Sequence, residues 1–168
     1  MSDPLYIDMI EKLQRHSEEI LKSQERVLIS VVGKGGTGKS HFGKYLRNNG
    51  FGKFKQSSIT IIDDKKMWID FLYFFRRSVR ISYSGVDELR PILEKLPVRK
   101  KIIFYINATP LKRITRTDIL LKLYTDEETR FKRLQGRYAN NPGMFRLALE
   151  SDNIIDGIKY RYMVEANV

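Results

Sequence analysis

Residues 33–40 read Gly33-Lys34-Gly35-Gly36-Thr37-Gly38-Lys39-Ser40, the spacing G-x-x-x-x-G-K-[ST], between a short apolar run and an amphipathic segment. No other stretch of the chain restricts the fold as strongly. Glycines let successive main-chain N–H groups turn inward around a phosphate, Lys39 can reach the β- and γ-phosphates, and the Ser40 hydroxyl can hold Mg²⁺. Such a loop, the Walker A pattern, works only between a strand and a helix. Arg26-Val27-Leu28-Ile29-Ser30-Val31-Val32 is β-branched and apolar, as a strand buried on both faces of a parallel sheet requires. From His41 to Asn49, Phe42, Tyr45 and Leu46 recur at helical spacing and Gly50 supplies a stop. Phosphates held here would face a helix N-terminus, whose free N–H groups and dipole favour anions. Gly33, Lys34, Gly35, Gly36, Thr37, Gly38, Lys39, Ser40 and His41 are therefore the candidate nucleotide-binding residues. A glycine-rich turn that binds nothing is the competing reading, and the flanking context weighs against it.

The remaining pattern alternates strands with helices. Asp3-Pro4 reads as a cap and first-turn proline opening a helix to about Gln24, with Tyr6, Met9, Ile10, Leu13 and Ile20 on one face. Ser58–Ile62 is a second strand, and Asp63-Asp64 closes it at the end where ligands bind in open α/β sheets. Met67–Arg80, rich in aromatics, and Val86–Leu96 read as helices. Lys101–Ile106 and Asp118–Tyr124 read as strands, and Thr125 with Glu128 as a capping box for a helix to about Tyr138. A short helix over Met144–Glu150 and a strand over Tyr160–Glu165 complete the pattern, with Asn140-Asn141-Pro142-Gly143 as a turn before them. The expectation is an α/β three-layer sandwich on a five-stranded parallel sheet with right-handed crossovers. Residues 1–168 then form one domain, in which 1–25 is a helix packed on the sheet and about 126–150 a lid-like helical region.

Composition narrows the partners. The chain has 168 residues, 42% of them hydrophobic, with no apolar run near membrane-spanning length, so a soluble protein without a membrane partner is expected. The absence of cysteine excludes disulfides and thiolate metal sites. A cytoplasmic location is expected because the nucleotide is found there. A formal charge of +11, from 31 Lys and Arg against 20 Asp and Glu, calls for an anionic partner. Nucleotide phosphates account for several cations, and a nucleic acid would account for a patch or stripe. Local clusters stand at Lys65-Lys66, Arg76-Arg77, Arg99-Lys100-Lys101 and Lys112-Arg113, where ordinary solvated charge is the plainer reading.

Arg130, Arg133 and Arg137 recur at i, i+3 and i+7, so one helix face carries three cations while Phe131 and Leu134 can face the core. Like charges on one stripe repel unless an anion lies between them, and a transferring phosphoryl group is such an anion. Beside a phosphate loop, that reading outweighs a solvated helix face.

These pieces together resemble the P-loop nucleoside and nucleotide kinases, most of all the uridine kinase-like branch. The resemblance rests on the introductory helix, the Arg26–Ser40 strand and loop, and Asp63-Asp64. It also rests on Ile119–Leu134, which reads strand, acidic cap, Thr129-Arg130 and later arginines. It implies that Lys39 and Ser40 hold the triphosphate and Mg²⁺, and that Asp63 or Asp64 is the base for the acceptor hydroxyl, with Asp63 also near the metal. It further implies that Arg133 and Arg137 belong to a lid that closes over ATP. The implied activity is an ATP- and Mg²⁺-dependent kinase, a transferase acting on a nucleoside, nucleotide or similar small metabolite. Relatives carry an acidic residue at the end of the third strand, where this chain has Ile106-Asn107.

Two other classes share the same motif. Lys34 through Ser40 also resembles the loop of the ParA/MinD-like dimerising ATPases, in which an additional lysine, here Lys34, reaches the partner's nucleotide; a homodimeric switch follows from that reading. The positive charge and the basic-aromatic stretch from Trp68 to Arg80 also fit a kinase of polynucleotide ends or a nucleic-acid-associated NTPase.

Overall fold

The computed structural model describes residues 6–63, 66–68, 76–78, 87, 89–107, 113–151 and 155–168. Five parallel strands form the centre of the sheet: β1 (Val27–Val32), β2 (Ile59–Asp63), β5 (Ile102–Ile106), β6 (Ile119–Tyr124) and β7 (Tyr162–Asn167). They lie in the order β2-β5-β1-β6-β7. The chain thus runs out to β2 on one side of β1, returns through β5, and then fills the other side with β6 and β7. That reversal places the carboxyl end of β1 in the crevice where open α/β sheets bind ligands.

Burial explains why these segments are strands. Every residue of β1 except Leu28 is buried, and all five residues of β5 are. Such runs have no polar face to turn to water, so only a central parallel position suits them. Ser30, buried in β1, donates to Thr117 Oγ1 at 3.0 Å, and that hydroxyl in turn donates to the Leu28 carbonyl at 2.9 Å.

Helices cover both faces. On one face α1 (Ile7–Leu21) and α2 (Lys39–Asn49) close a core that joins Met9, Leu13, Ile20, Phe42 and Leu46 to Ile29, Val31, Phe104 and Leu121. Tyr6, Met9, Ile10, Leu13 and Ile20 are all buried, as their spacing predicts, while the Asp3-Pro4 cap lies outside the described residues. On the other face the short helix α3 (Arg90–Glu94) packs Leu89, Ile92, Leu93 and Leu96 near Ile103 and Tyr105. The helices α4 (Glu127–Arg137) and α5 (Pro142–Glu150) pack on each other beside the carboxyl end of the sheet. Among the described residues no helix is long and apolar enough to cross a membrane.

Three local readings are corrected. The helix expected over Met67–Arg80 is replaced, where described, by β3 (Lys66–Trp68) and β4 (Arg76–Ser78), which extend the sheet antiparallel from β2. The open edge of β2 offers unpaired main-chain groups, and aromatic-rich sequence suits a pleated ribbon. The helix expected from Val86 spans only Arg90–Glu94, because Asp87 adopts φ 59°, a left-handed conformation that a right-handed helix excludes. Its carboxylate accepts from the Thr115 N–H and hydroxyl at 2.6 and 2.7 Å, which fixes that conformation.

The third correction concerns the cap of α4. Asp126, not Thr125, is the N-cap, and its carboxylate accepts from the Thr129 N–H at 2.7 Å. Asp126 is extended at φ −61°, ψ 152°, so its side chain folds back over the first turn. That hydrogen bond lowers its pKa, so the stabilisation is complete above the ordinary carboxylate range and is lost as pH falls through the depressed value. Asp126→Ala should lower the thermal midpoint by a few degrees at neutral pH. In strong acid, where the wild-type carboxyl is also protonated, the difference should vanish.

Candidate nucleotide site

The loop from Gly33 to Gly38 leaves β1 and enters α2 at Lys39. Gly33, Gly36 and Gly38 have φ of 151°, 88° and 84°. These are conformations that a side chain disfavours, and the turn they make borders a hollow lined in part by Gly36 and Gly38. Close approach also requires glycine: a Cβ on Gly36 would stand 3.0 Å from Arg130 Cγ and 3.2 Å from the Arg130 carbonyl. Thr37 is buried and its hydroxyl donates to the Lys34 carbonyl at 3.0 Å, bracing the turn from within.

Lys39 folds back over the loop, its Nζ donating to the carbonyls of Gly33 and Lys34, the latter at 2.8 Å. Burial, followed by the repulsion of Arg137, pulls its pKa down to about 8 against the attraction of Asp63. An ammonium held in such a place is short of counter-charge, and an incoming phosphate supplies it.

Around this hollow the structure brings together residues that are far apart in sequence. A cavity of about 410 Å³ is lined by Tyr6, Gly36, Gly38, His41, Arg133, Arg137 and Val168, within the range of small-ligand sites. Arg133 Nη1 donates to the Gly36 carbonyl at 3.4 Å and to the Val168 carbonyl at 3.2 Å. The Tyr6 hydroxyl meets His41 Nδ1 at 2.9 Å. On the other side of the loop, the Gly35 N–H donates to Ser151 Oγ at 3.1 Å.

The three arginines divide their work. Arg133 and Arg137 reach the cavity, but Arg130 is 3% exposed. Its guanidinium donates to the Leu149 carbonyl at 2.8 Å and pairs with Glu127 at 3.1 Å, so it ties α4 to α5 instead of awaiting an anion. Phe131, expected in the core, is 42% exposed and meets Phe145 edge-on at 5.3 Å. Lys34 is exposed and lies 3.9 Å from Glu127 of the same chain.

The Asp63 carboxylate stands at the same end. Asp63, half-buried, ends β2 level with Ile106 on β5, and Asp64 lies outside the described residues. Asn107 Nδ2 donates to the Tyr105 hydroxyl at 2.6 Å, which turns this amide toward the α3 face. Among the described residues no group of three or more His, Asp or Glu converges as a metal site. Mg²⁺ binds through one or two protein oxygens plus substrate phosphates, and Ser40, which is exposed, and the half-buried Asp63 carry oxygens of the kind it takes.

A family model described as an AAA domain matches residues 29–156, which span the loop, the carboxylate strand and the arginine helix. The chain belongs to this AAA-domain family of P-loop NTPases. No curated protein and no solved structure matches the chain. An AAA domain binds nucleotide through this loop, and the five parallel strands with helices on both faces are the fold expected of it.

Tyr6 and Val168, which line this cavity, and Ser151, which accepts from Gly35, are residues that sequence reasoning missed. Tyr6 reads as core because it lies on the apolar stripe of α1; its hydroxyl alone signals the second role, since a buried tyrosine needs a polar partner. Neither Ser151 nor Val168 carries a motif.

Proposed function

We propose that this chain is an ATP- and Mg²⁺-dependent phosphotransferase acting on a hydroxyl or phosphate of a nucleoside, nucleotide or similar small metabolite, most like the uridine kinase-like branch. The observation that supports it best is the convergence of Arg133 and Arg137 from α4 on the cavity beside Gly36 and Gly38. Phosphoryl transfer asks a protein for alignment and charge compensation, and two arginines beside a phosphate loop supply both. In this reading α4 and α5 form the lid, closed on the loop through Arg133 and Ser151. Closure keeps water from the phosphoryl group.

Lys39 and the loop amides hold the triphosphate, Ser40 and Asp63 suit the metal, and Asp63 or Asp64 accepts the acceptor's proton. Bound with the nucleotide, Mg²⁺ neutralises charge on the phosphates. The dimerising-switch reading would need Lys34, which lies 3.9 Å from Glu127 of its own chain, to leave that exposed pair and reach a partner.

An ATP-consumption screen over nucleosides, nucleotides and 5′-hydroxyl oligonucleotides tests the proposal. ADP release should depend on one acceptor class. Replacing Asp63 and Asp64 separately by Asn should show one variant losing roughly 10²–10⁴-fold in turnover with ATP affinity nearly unchanged, as removal of a general base does. Slow hydrolysis without any acceptor, together with ATP-driven dimers, would overturn it.

A further inference from the structure

The amino-terminal end of the sheet lies opposite the phosphate loop, and the parallel register arranges cations there in a row. Val27 pairs with Ile102, and Ile29 with Ile119. The residues immediately before these ladders, Lys101 and Arg26, therefore stand level with each other and with Arg116, which bridges to Lys159. Four neighbouring strands thus present a cation at one level and, being in register, on one face of the sheet. Arg99 and Arg161 flank the row and are exposed.

Like charges opposite one another on adjacent strands are unfavourable, and the acids nearby are largely committed. Asp87 holds Thr115, Asp118 accepts from the Leu28 N–H at 2.8 Å, and Glu94 pairs with Arg90. Glu25 and Asp156 are exposed at this end and offset part of the charge. Arg26 donates to the Leu93 and Leu96 carbonyls, anchoring α3, and Lys100 turns inward to the Ile59 carbonyl. Arg116 and Lys159 are exposed, and Arg116 stands close enough to the Asp118 carboxylate to favour its charged form against the effect of burial.

The same face holds a groove of about 960 Å³, whose wall combines Leu28, Leu93, Ile103 and Ile114 with the cations Arg26, Arg116 and Lys159 and with the acids Asp87, Glu94 and Asp118.

We propose that this end of the sheet binds a single-stranded nucleic acid, whose backbone follows the Lys101-Arg26-Arg116-Lys159 row while bases enter the neighbouring groove. Cations in a line suit a chain of phosphodiesters, and the apolar part of the groove beside them suits unstacked bases. The site stands apart from the nucleotide hollow and is independent of the phosphotransfer reading.

Fluorescence anisotropy with a labelled oligothymidylate of about 20 nucleotides tests it, with saturating non-hydrolysable ATP analogue and Mg²⁺ present so that the loop is filled. Wild type should bind, and Arg116→Glu with Lys159→Glu should weaken binding by about tenfold or more and flatten the dependence on log salt by about 1.4, the loss of two phosphate contacts. The control Lys12→Glu with Lys132→Glu, equal in charge change but placed on α1 and α4, should stay within about twofold of wild type. Binding of the ATP analogue should be unchanged in both variants, which separates failure of this site from failure of the nucleotide site. The proposal falls if wild type does not bind the oligonucleotide, if the control loses as much, or if the reversal at Arg116 and Lys159 has no effect. It falls equally if phosphatidylserine vesicles bind through these residues and the oligonucleotide does not, since the surface would then face a membrane.

Discussion

Lys39→Ala should leave a folded protein that has lost nucleotide binding, with affinity for a fluorescent ATP analogue down on the order of 10²–10³-fold, the cost of deleting a preorganised charged donor. Lys39 does two things that alanine cannot. Its ammonium lies folded against the loop, and its Nζ spans the carbonyls of Gly33 and Lys34, holding the turn in shape. Circular dichroism should be unchanged, because Lys39 lies outside the hydrophobic core, so that the loss reads as one of binding and not of fold. A variant that binds ATP as wild type does would remove the basis for the nucleotide site altogether.

A pH dependence accompanies this result. In the free protein Lys39 has a pKa of about 8, lowered mainly by burial, and a bound polyphosphate must raise it. Below that pH the ammonium is already present and affinity should be flat. Above it, binding has to take up a proton, so affinity measured without metal should fall by up to about tenfold per pH unit. Lys39→Arg, which stays charged, should abolish the inflection.

Gly33→Ala is the second large effect, and it concerns main chain alone. A Cβ at this position would lie 2.6 Å from Thr37 Oγ1 and closer still to the Leu123 carbonyl oxygen on β6. With φ at 151° the added methyl also meets an unfavourable backbone conformation. Since the obstructing carbonyl belongs to a buried strand, the loop must move instead. We expect a loss of about 2–4 kcal/mol in unfolding free energy, from strain and overpacking together, with nucleotide binding impaired in what remains folded.

Gly136→Ala is the matching contrast. Gly136 lies in α4, and no atom approaches within 4 Å of a Cβ placed there. This change should stabilise by roughly 0.5–1 kcal/mol. Urea unfolding of both variants checks the pair, and a neutral Gly33→Ala would mean that the loop is not built as described.

The contrast between these two glycines shows what was legible. The phosphate loop could be read because its glycines, its lysine and the flanking strand and helix are contiguous, and their geometry follows from local backbone rules. The central strands could be read for a similar reason: runs such as Ile102–Ile106 are apolar on both faces, so only a central place in a sheet accepts them. The stretch around Trp68 misled because an aromatic-rich run satisfies helix and ribbon alike. The free edge of β2 decided between them. The cap of α4 moved by one residue, to Asp126, because Thr125 and Asp126 are both good caps and the exit of β6 selects which one can fold back.

The sequence alone was enough to establish a phosphate-binding turn between strand and helix, an alternating α/β chain and an excess of positive charge. Only the tertiary structure decided that Arg130 is a tie between helices while Arg133 faces the loop, that Tyr6 meets His41, and that Lys101, Arg26, Arg116 and Lys159 fall into line. The physical reason is range. A turn or a buried strand is set by residues a few positions apart, whereas Gly35 meets Ser151 across 116 positions and Arg133 meets Gly36 across 97. Contacts of that separation exist only once parallel pairing and helix packing have carried both partners to the same end of the sheet.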